Sequence, residues 1–152
     1  EVPPEDFTFS CNAAIAKAVG RADALCRYVV SEMTVERKQE ITWTVARERC
    51  NAMGGAQLAE PRTAQQIQYL ASILRHYESD SLWIGLRRAS ASVWWDGFYW
   101  ASDGTSLADG DSFWAVSEPD GIKGDCVEMR EDGTWSDTSC EIGKVLACEQ
   151  PV

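Results

Sequence analysis

Seven carboxylates crowd one stretch near the end of the chain, "EPDGIKGDCVEMREDGTWSDTSC", residues 118–140, and four of them, Glu118, Asp120, Asp125 and Asp137, flank its turns and cysteines. Side chains of this kind serve three ends. Ionised together they hold a hard cation such as calcium, which takes six to eight oxygens at about 2.3–2.6 Å. Two of them, one with a raised pKa, flank a glycosidic bond in hydrolases. Set among turns and cysteines, they form only the solvated edge of a hairpin pinned by a disulfide. Glu118 with Asp137 is the pair to weigh for hydrolysis, and nothing in the sequence points to a buried acid beside it. The single histidine, His76, has no G-x-S-x-G or other nucleophile context and reads as a surface helix residue. Catalytic residues are therefore none, and the chain is not expected to be an enzyme. Glu128, Glu131 and Asp132 read as hairpin edge.

The elements that must position these groups follow from periodicity. Between Cys11 and Cys26 the chain is Ala-rich and helical in character. "CRYVVSEMTV" (26–35) is β-branched and aromatic and predicts a strand. Trp43, Ala46, Cys50 and Met53 recur at spacings of three and four, one face of a helix, with Thr42 as its cap and Gly54–Gly55 as its end. Residues 61–77 form a second helix. Thr63 and Gln66 make a capping box, and Ile67, Leu70, Ile73, Leu74 and Tyr77 line its buried face. "SLWIGL" (81–86) reads as a buried strand. Asp-Gly pairs then break the chain at Asp96, Asp103, Asp109, Asp120 and Asp132, favouring tight turns. Residues 101–124 read as a long ordered loop, the kind that carries function. "CVEMR" and "KVLACEQ" close the chain as strands. Residues 1–10 are read as a tail and 11–152 as a single α+β domain.

Composition narrows the partners. The chain has 152 residues and a formal charge of −10, from 14 Lys and Arg against 24 Asp and Glu. A basic patch for nucleic acid is not expected, nor attraction to an anionic membrane. No run of 18 apolar residues predicts membrane insertion. The opening "EVPPEDFTFS" has no basic start followed by an apolar run, so the expectation is a mature form. The six cysteines, Cys11, Cys26, Cys50, Cys126, Cys140 and Cys148, contain no C-x-x-C pair. Three disulfides in a secreted or extracellular protein are expected, although six cysteines allow 15 pairings. Among seven tryptophans, Trp43, Trp83 and Trp135 read as core, and Trp100 and Trp114 as anchors of the loop. Trp94 and Trp95 are adjacent, so they cannot both point inward along a strand, and one is expected to be exposed for stacking on a ligand.

Together these residues resemble the C-type lectin-like domain. "WIGL" (83–86) looks like its signature strand, and "FYWASDG" (98–104) like the strand and turn that follow. "EPD" (118–120) is similar to its sugar-selecting Glu-Pro-Asn motif, and "WSD" (135–137) to its Trp-Asn-Asp motif. The resemblance covers roughly residues 11–150. It implies an α+β, disulfide-stapled fold of two helices, small antiparallel sheets and a long ordered loop. It also implies the pairs Cys11–Cys26, Cys50–Cys148 and Cys126–Cys140, of which the first marks the long form of the domain.

The resemblance also implies a site. Glu118 matches the first calcium ligand, Pro119 the cis-proline, and Asp137 the last ligand. Asp120 stands where mannose-type members carry Asn and galactose-type members Asp. Two positions depart from the pattern: Gly124 replaces a Glu, and Ser136 replaces the Asn of the second motif. Asp125 is expected to shift in and Ser136 to offer its hydroxyl. Calcium would then rest on Glu118, Asp120, Asp125, Ser136 and Asp137. A ligand would meet Glu118, Asp120, Ser136, Trp94 and Trp95. On this reading, Gly124→Glu with Ser136→Asn should strengthen the site. The stretch at 87–97 leaves only Asp96 for any auxiliary ion.

Two functions compete. The first is a secreted, non-enzymatic recognition domain that binds a glycan or glycoprotein through calcium. The second keeps the fold with a degenerate calcium site and binds a protein, mineral or ice surface.

Overall fold

The computed structural model describes residues 7–30, 41–89, 97–108, 110, 112–122 and 124–152. Three helices and eight strands follow one another along the described chain. They are β1 (Phe9–Ser10), α1 (Ala13–Val19), β2 (Leu25–Val30), α2 (Trp43–Asn51), β3 (Gln57–Leu58), α3 (Ala64–His76), β4 (Ser81–Arg88), β5 (Phe98–Trp100), β6 (Cys126–Arg130), β7 (Trp135–Thr138) and β8 (Val145–Pro151).

Each helix begins where its sequence supplies an acceptor. Asn12 Oδ1 accepts from Ala14 and Ile15 at the start of α1, which lies in the Ala-rich segment read as helical and adds a third helix to the two that the resemblance implies. Thr42 caps α2 and Thr63 caps α3. Gln66 reaches back to the amide of Arg62 rather than to that of Thr63, a displaced version of the capping box. α2 ends at Asn51, before Gly54–Gly55, and α3 ends at His76. Tyr77 therefore lies just past the helix and is exposed, not on its buried face. His76 is exposed as expected.

The strands form one connected sheet in the order β1-β2-β8-β4-β6-β7, with β3 added on β8 and β5 on β4. The sheet is mixed, not purely antiparallel. β4 and β8 run parallel, with Leu82 opposite Val145 and Trp83 opposite Leu146. Phe9–Ser10, at the end of the expected tail, pair with Leu25–Cys26, and Phe7 stacks on Tyr69 at 3.9 Å.

β4 is apolar on both faces because each face meets a different core. Leu82, Ile84 and Leu86 join Ile67, Leu70 and Leu74 of α3, together with Val127, Met129 and Trp135. Trp83 points the other way, into a cluster with Trp43, Ala46 and Cys50 of α2 and Leu58, Leu146 and Cys148. Both indole N–H groups are used: Trp43 donates to the Ile84 carbonyl at 2.9 Å and Trp83 to the Ile41 carbonyl at 3.0 Å. Disulfides join Cys11 to Cys26, Cys50 to Cys148 and Cys126 to Cys140, the pairs implied by the resemblance.

Candidate functional site

The long loop is held from below by aromatic rings. Trp135, fully buried on β7, meets Phe113 at 5.4 Å, Trp114 at 5.7 Å and Trp100 at 5.9 Å between ring centroids. Phe98 packs on Trp114 at 4.8 Å. Edge-to-face packing at these separations adds to the burial of apolar area. Backbone bonds finish the anchoring: Trp135 N–H donates to the Phe113 carbonyl at 2.8 Å, and Ala115 N–H to the Trp135 carbonyl at 2.9 Å.

Beyond this anchor the chain turns through a cis Glu118–Pro119 bond. Glu118, Asp120 and Asp137 come together there, with one oxygen of each within 4.8 Å of the others. Asp137 lies two residues beyond Trp135 on the same face of β7 and is fully buried. Its carboxylate is already engaged. Oδ1 accepts from the Asp120 amide at 2.9 Å, and Oδ2 from the Gly121 amide at 2.8 Å and from Arg88 Nη2 at 3.2 Å. Burial pushes the Asp137 carboxyl up. The two amides, the Glu118 carboxyl and Arg88 outweigh it and hold the group below the ordinary value.

Arg88 is the last residue of β4, and its side chain is 4% exposed. Its guanidinium lies 5.0 Å from the Phe98 ring centre. Nε donates to Asp125 Oδ1 at 3.0 Å, and Nη2 also donates to the Gly124 carbonyl. Calcium needs six to eight oxygens with open lone pairs. Here the most buried carboxylate already accepts from two amides and a guanidinium, and a positive charge stands against it. As arranged, the residues fit a guanidinium and not a divalent ion beside it.

The other expected site residues fall in different places. Asp125 faces Arg88 with its side chain 52% exposed. Ser136 points to the opposite face of β7 from Asp137, as strand alternation requires, and its hydroxyl donates to Glu128 Oε2. Glu128 is not an open hairpin edge. It pairs with Lys144 at 2.6 Å and sits across from Ser136 in the β6–β7 register. Burial raises its carboxyl, and the bonds from Lys144, Ser136 and Ser81 bring it below the ordinary value. Gly124 is fixed by packing: a Cβ there would lie 2.5 Å from Ser139 Cα and would collide with the Thr138 carbonyl. The Glu expected at this position has no room. Trp94, Trp95 and Asp96 lie outside the described residues.

A second acidic group escaped the sequence reading. Glu60 and Glu149 are 2% and 1% exposed. Glu149 accepts from the Glu60 amide at 2.7 Å and from Gln57 Nε2 at 3.2 Å. Glu60 accepts from Arg62 at 2.7 Å, Ser102 Oγ at 2.8 Å and Asn12 at 3.2 Å. Burial first, and then the neighbouring Glu60 charge, push Glu149 up to about 8. Gly85 of "WIGL" makes the space: a Cβ there would lie 2.8 Å from Glu60 Cγ. Strand alternation turns Glu149 to the face opposite buried Cys148, so its burial was not readable locally and follows from both faces of β8 being covered.

Comparison with known proteins follows the same lines. Rat (Rattus norvegicus) asialoglycoprotein receptor 2 is 28% identical over 117 residues, covering 72% of this chain and 36% of the receptor. The chain thus spans about a third of that relative's length. Human (Homo sapiens) C-type lectin domain family 4 member E is 29% identical over 154 aligned positions, covering 96% of this chain and 67% of that protein. The solved C-type lectin CEL-I from Cucumaria echinata superposes with a TM-score of 0.62 at 21% identity, covering 84% of this chain and 89% of that one, a likeness of fold. No helix among the described residues is long and apolar enough to cross a membrane. The profile of the family described as the lectin C-type domain matches residues 39–150, and the chain belongs to that family.

Proposed function

We propose that residues 11–152 form a secreted, non-enzymatic recognition domain that binds a glycan or glycoprotein on the long loop without a bridging calcium ion. The observation that carries this reading is the Asp137 carboxylate, already bonded to two backbone amides and to the Arg88 cation. In this mode, carboxylates accept hydrogen bonds from ligand hydroxyls directly. Exposed Asp125 and half-buried Asp120 are the carboxylates that would take this role. Val116 and Ile122, 95% and 85% exposed on either side of the Glu118–Asp120 turn, supply apolar contact to a sugar face or a protein. The three disulfides suit an oxidising compartment. Membership of the lectin family supports carbohydrate as the ligand class.

A calcium-linked mode is the second reading, favoured by the approach of Glu118, Asp120 and Asp137. A glycan array with and without EDTA separates the two. The expected result is binding that EDTA leaves unchanged. Binding abolished by EDTA and restored by calcium would establish the second mode. An array silent in both conditions, with binding to a protein surface, would remove the glycan from the proposal.

A further inference from the structure

We propose that Arg88 is the resident cation of the long-loop site: its guanidinium takes the position and charge of a metal ion, and this one side chain keeps the cluster from binding calcium. The inference rests on the calcium-free reading above and deepens it by naming the group responsible.

Geometry, burial and charge agree. A buried charge persists only where partners surround it. Arg88 has them on two segments: the Gly124 carbonyl and the Asp125 carboxylate, at 3.0 Å, at the end of the loop, and the Asp137 carboxylate, at 3.2 Å, on β7. This is a fork of oxygens around one cation, as a metal would gather them, and it draws on the end of the loop and on β7. The main chain closes the contact, since the Arg88 amide donates to the Asp125 carbonyl at 2.8 Å. Phe98 lies 5.0 Å from the guanidinium carbon and limits its movement. The planar group suits this task because its donors are fixed in direction.

Charge decides the consequence. Glu118, Asp120, Asp125 and Asp137 bring four carboxylates to the site, and Arg88 is the buried cation facing Asp125 and Asp137 among the described residues. Arg130 stands at the margin, 3.9 Å from Glu118. Calcium entering beside Arg88 would meet a like charge and would have to displace its bonds to Asp137. With Arg88 made neutral, Asp137 keeps its two amides, and the surrounding oxygens, including the Gly124 carbonyl, lack their counter-charge. A hard divalent cation then fits where the guanidinium was.

The test is Arg88→Gln against the parent, titrated with calcium chloride by calorimetry, with thermal melts in calcium and in EDTA. The parent is expected to show no binding heat and one melting temperature in both conditions. Arg88→Gln is expected to gain a saturable calcium-binding heat that the parent lacks and to melt higher in calcium than in EDTA. Should Arg88→Gln fail to fold in EDTA, folding on addition of calcium supports the proposal, and no rescue overturns it. Arg88→Lys keeps the charge and should remain indifferent to calcium; if it binds as Arg88→Gln does, charge is not what excludes the metal and the proposal falls. Arg88→Gln that folds and ignores calcium overturns the role of Arg88 and leaves the calcium-free reading standing. Calcium binding by the parent overturns both.

Discussion

Gly124 lies against the backbone of Thr138 and Ser139, and that approach governs what position 124 can carry. Gly124→Glu is expected to destabilise the domain by about 1–3 kcal/mol or more, because backbone rather than a movable side chain stands in the way. A lower urea midpoint for the variant checks this; an unchanged midpoint would mean the 124–139 contact opens easily. The carboxylates Glu118, Asp120 and Asp137 were legible in the sequence because they share one short segment with turn residues. Arg88 was not, since it lies 37 and 49 residues from the carboxylates it serves. Only the fold brings them together. Ser136 alternates with Asp137 along β7, and this is what turns its hydroxyl to Glu128.

α3 depends on Thr63 at its first turn, where Oγ1 accepts from Gln66 N–H at 3.2 Å while Gln66 holds the Arg62 amide at 2.9 Å. Thr63→Ala is expected to cost about 1 kcal/mol, read as a lower melting temperature and faster amide exchange in the first turn. Equal exchange in parent and variant would show that Gln66 alone holds the helix start. The two long helices were legible because period and cap coincide in each. Their ends were less so. Gly54–Gly55 and Tyr77 lie near enough to the termini to be assigned to the helices, yet the helices end at Asn51 and His76, with Ala52 and Tyr77 as their C-caps. The parallel pairing of β4 with β8 was illegible because the two strands are far apart in sequence and local pattern carries no partner.

Across the molecule, the Cys50–Cys148 bond ties α2 to β8 over a separation of 98 residues. In the chain-entropy model a loop of that size contributes about 4.7 kcal/mol by constraining the unfolded chain. The same strand β8 carries Glu149 into the interior, and this gives the whole fold a pH dependence. The Glu149 carboxyl is raised from 4.5 to about 8 in the folded state. Between those values the folded chain holds a proton that the unfolded chain has released, so this contribution is fully present below about 4.5 and is lost as pH rises through about 8. Glu149→Gln is expected to flatten the fall in urea midpoint across that window and to leave the variant the more stable of the two above it. The carboxamide introduced there can keep the bond from the Glu60 amide, and Gln57 can turn its own amide to match. Parallel pH profiles for parent and variant would assign the slope to Glu60 or elsewhere.

The rings around Trp135 have an optical consequence. Indoles held edge to face at under 6 Å couple their transitions, and the coupling depends on their mutual orientation. The set should produce strong near-ultraviolet circular dichroism belonging to the loop anchor rather than to the chain at large. Trp135 shares its face of β7 with Asp137, so a ligand or an altered charge at Asp137 is felt one strand step from the chromophore. The domain thus carries its own gauge of events on the long loop, readable without a label.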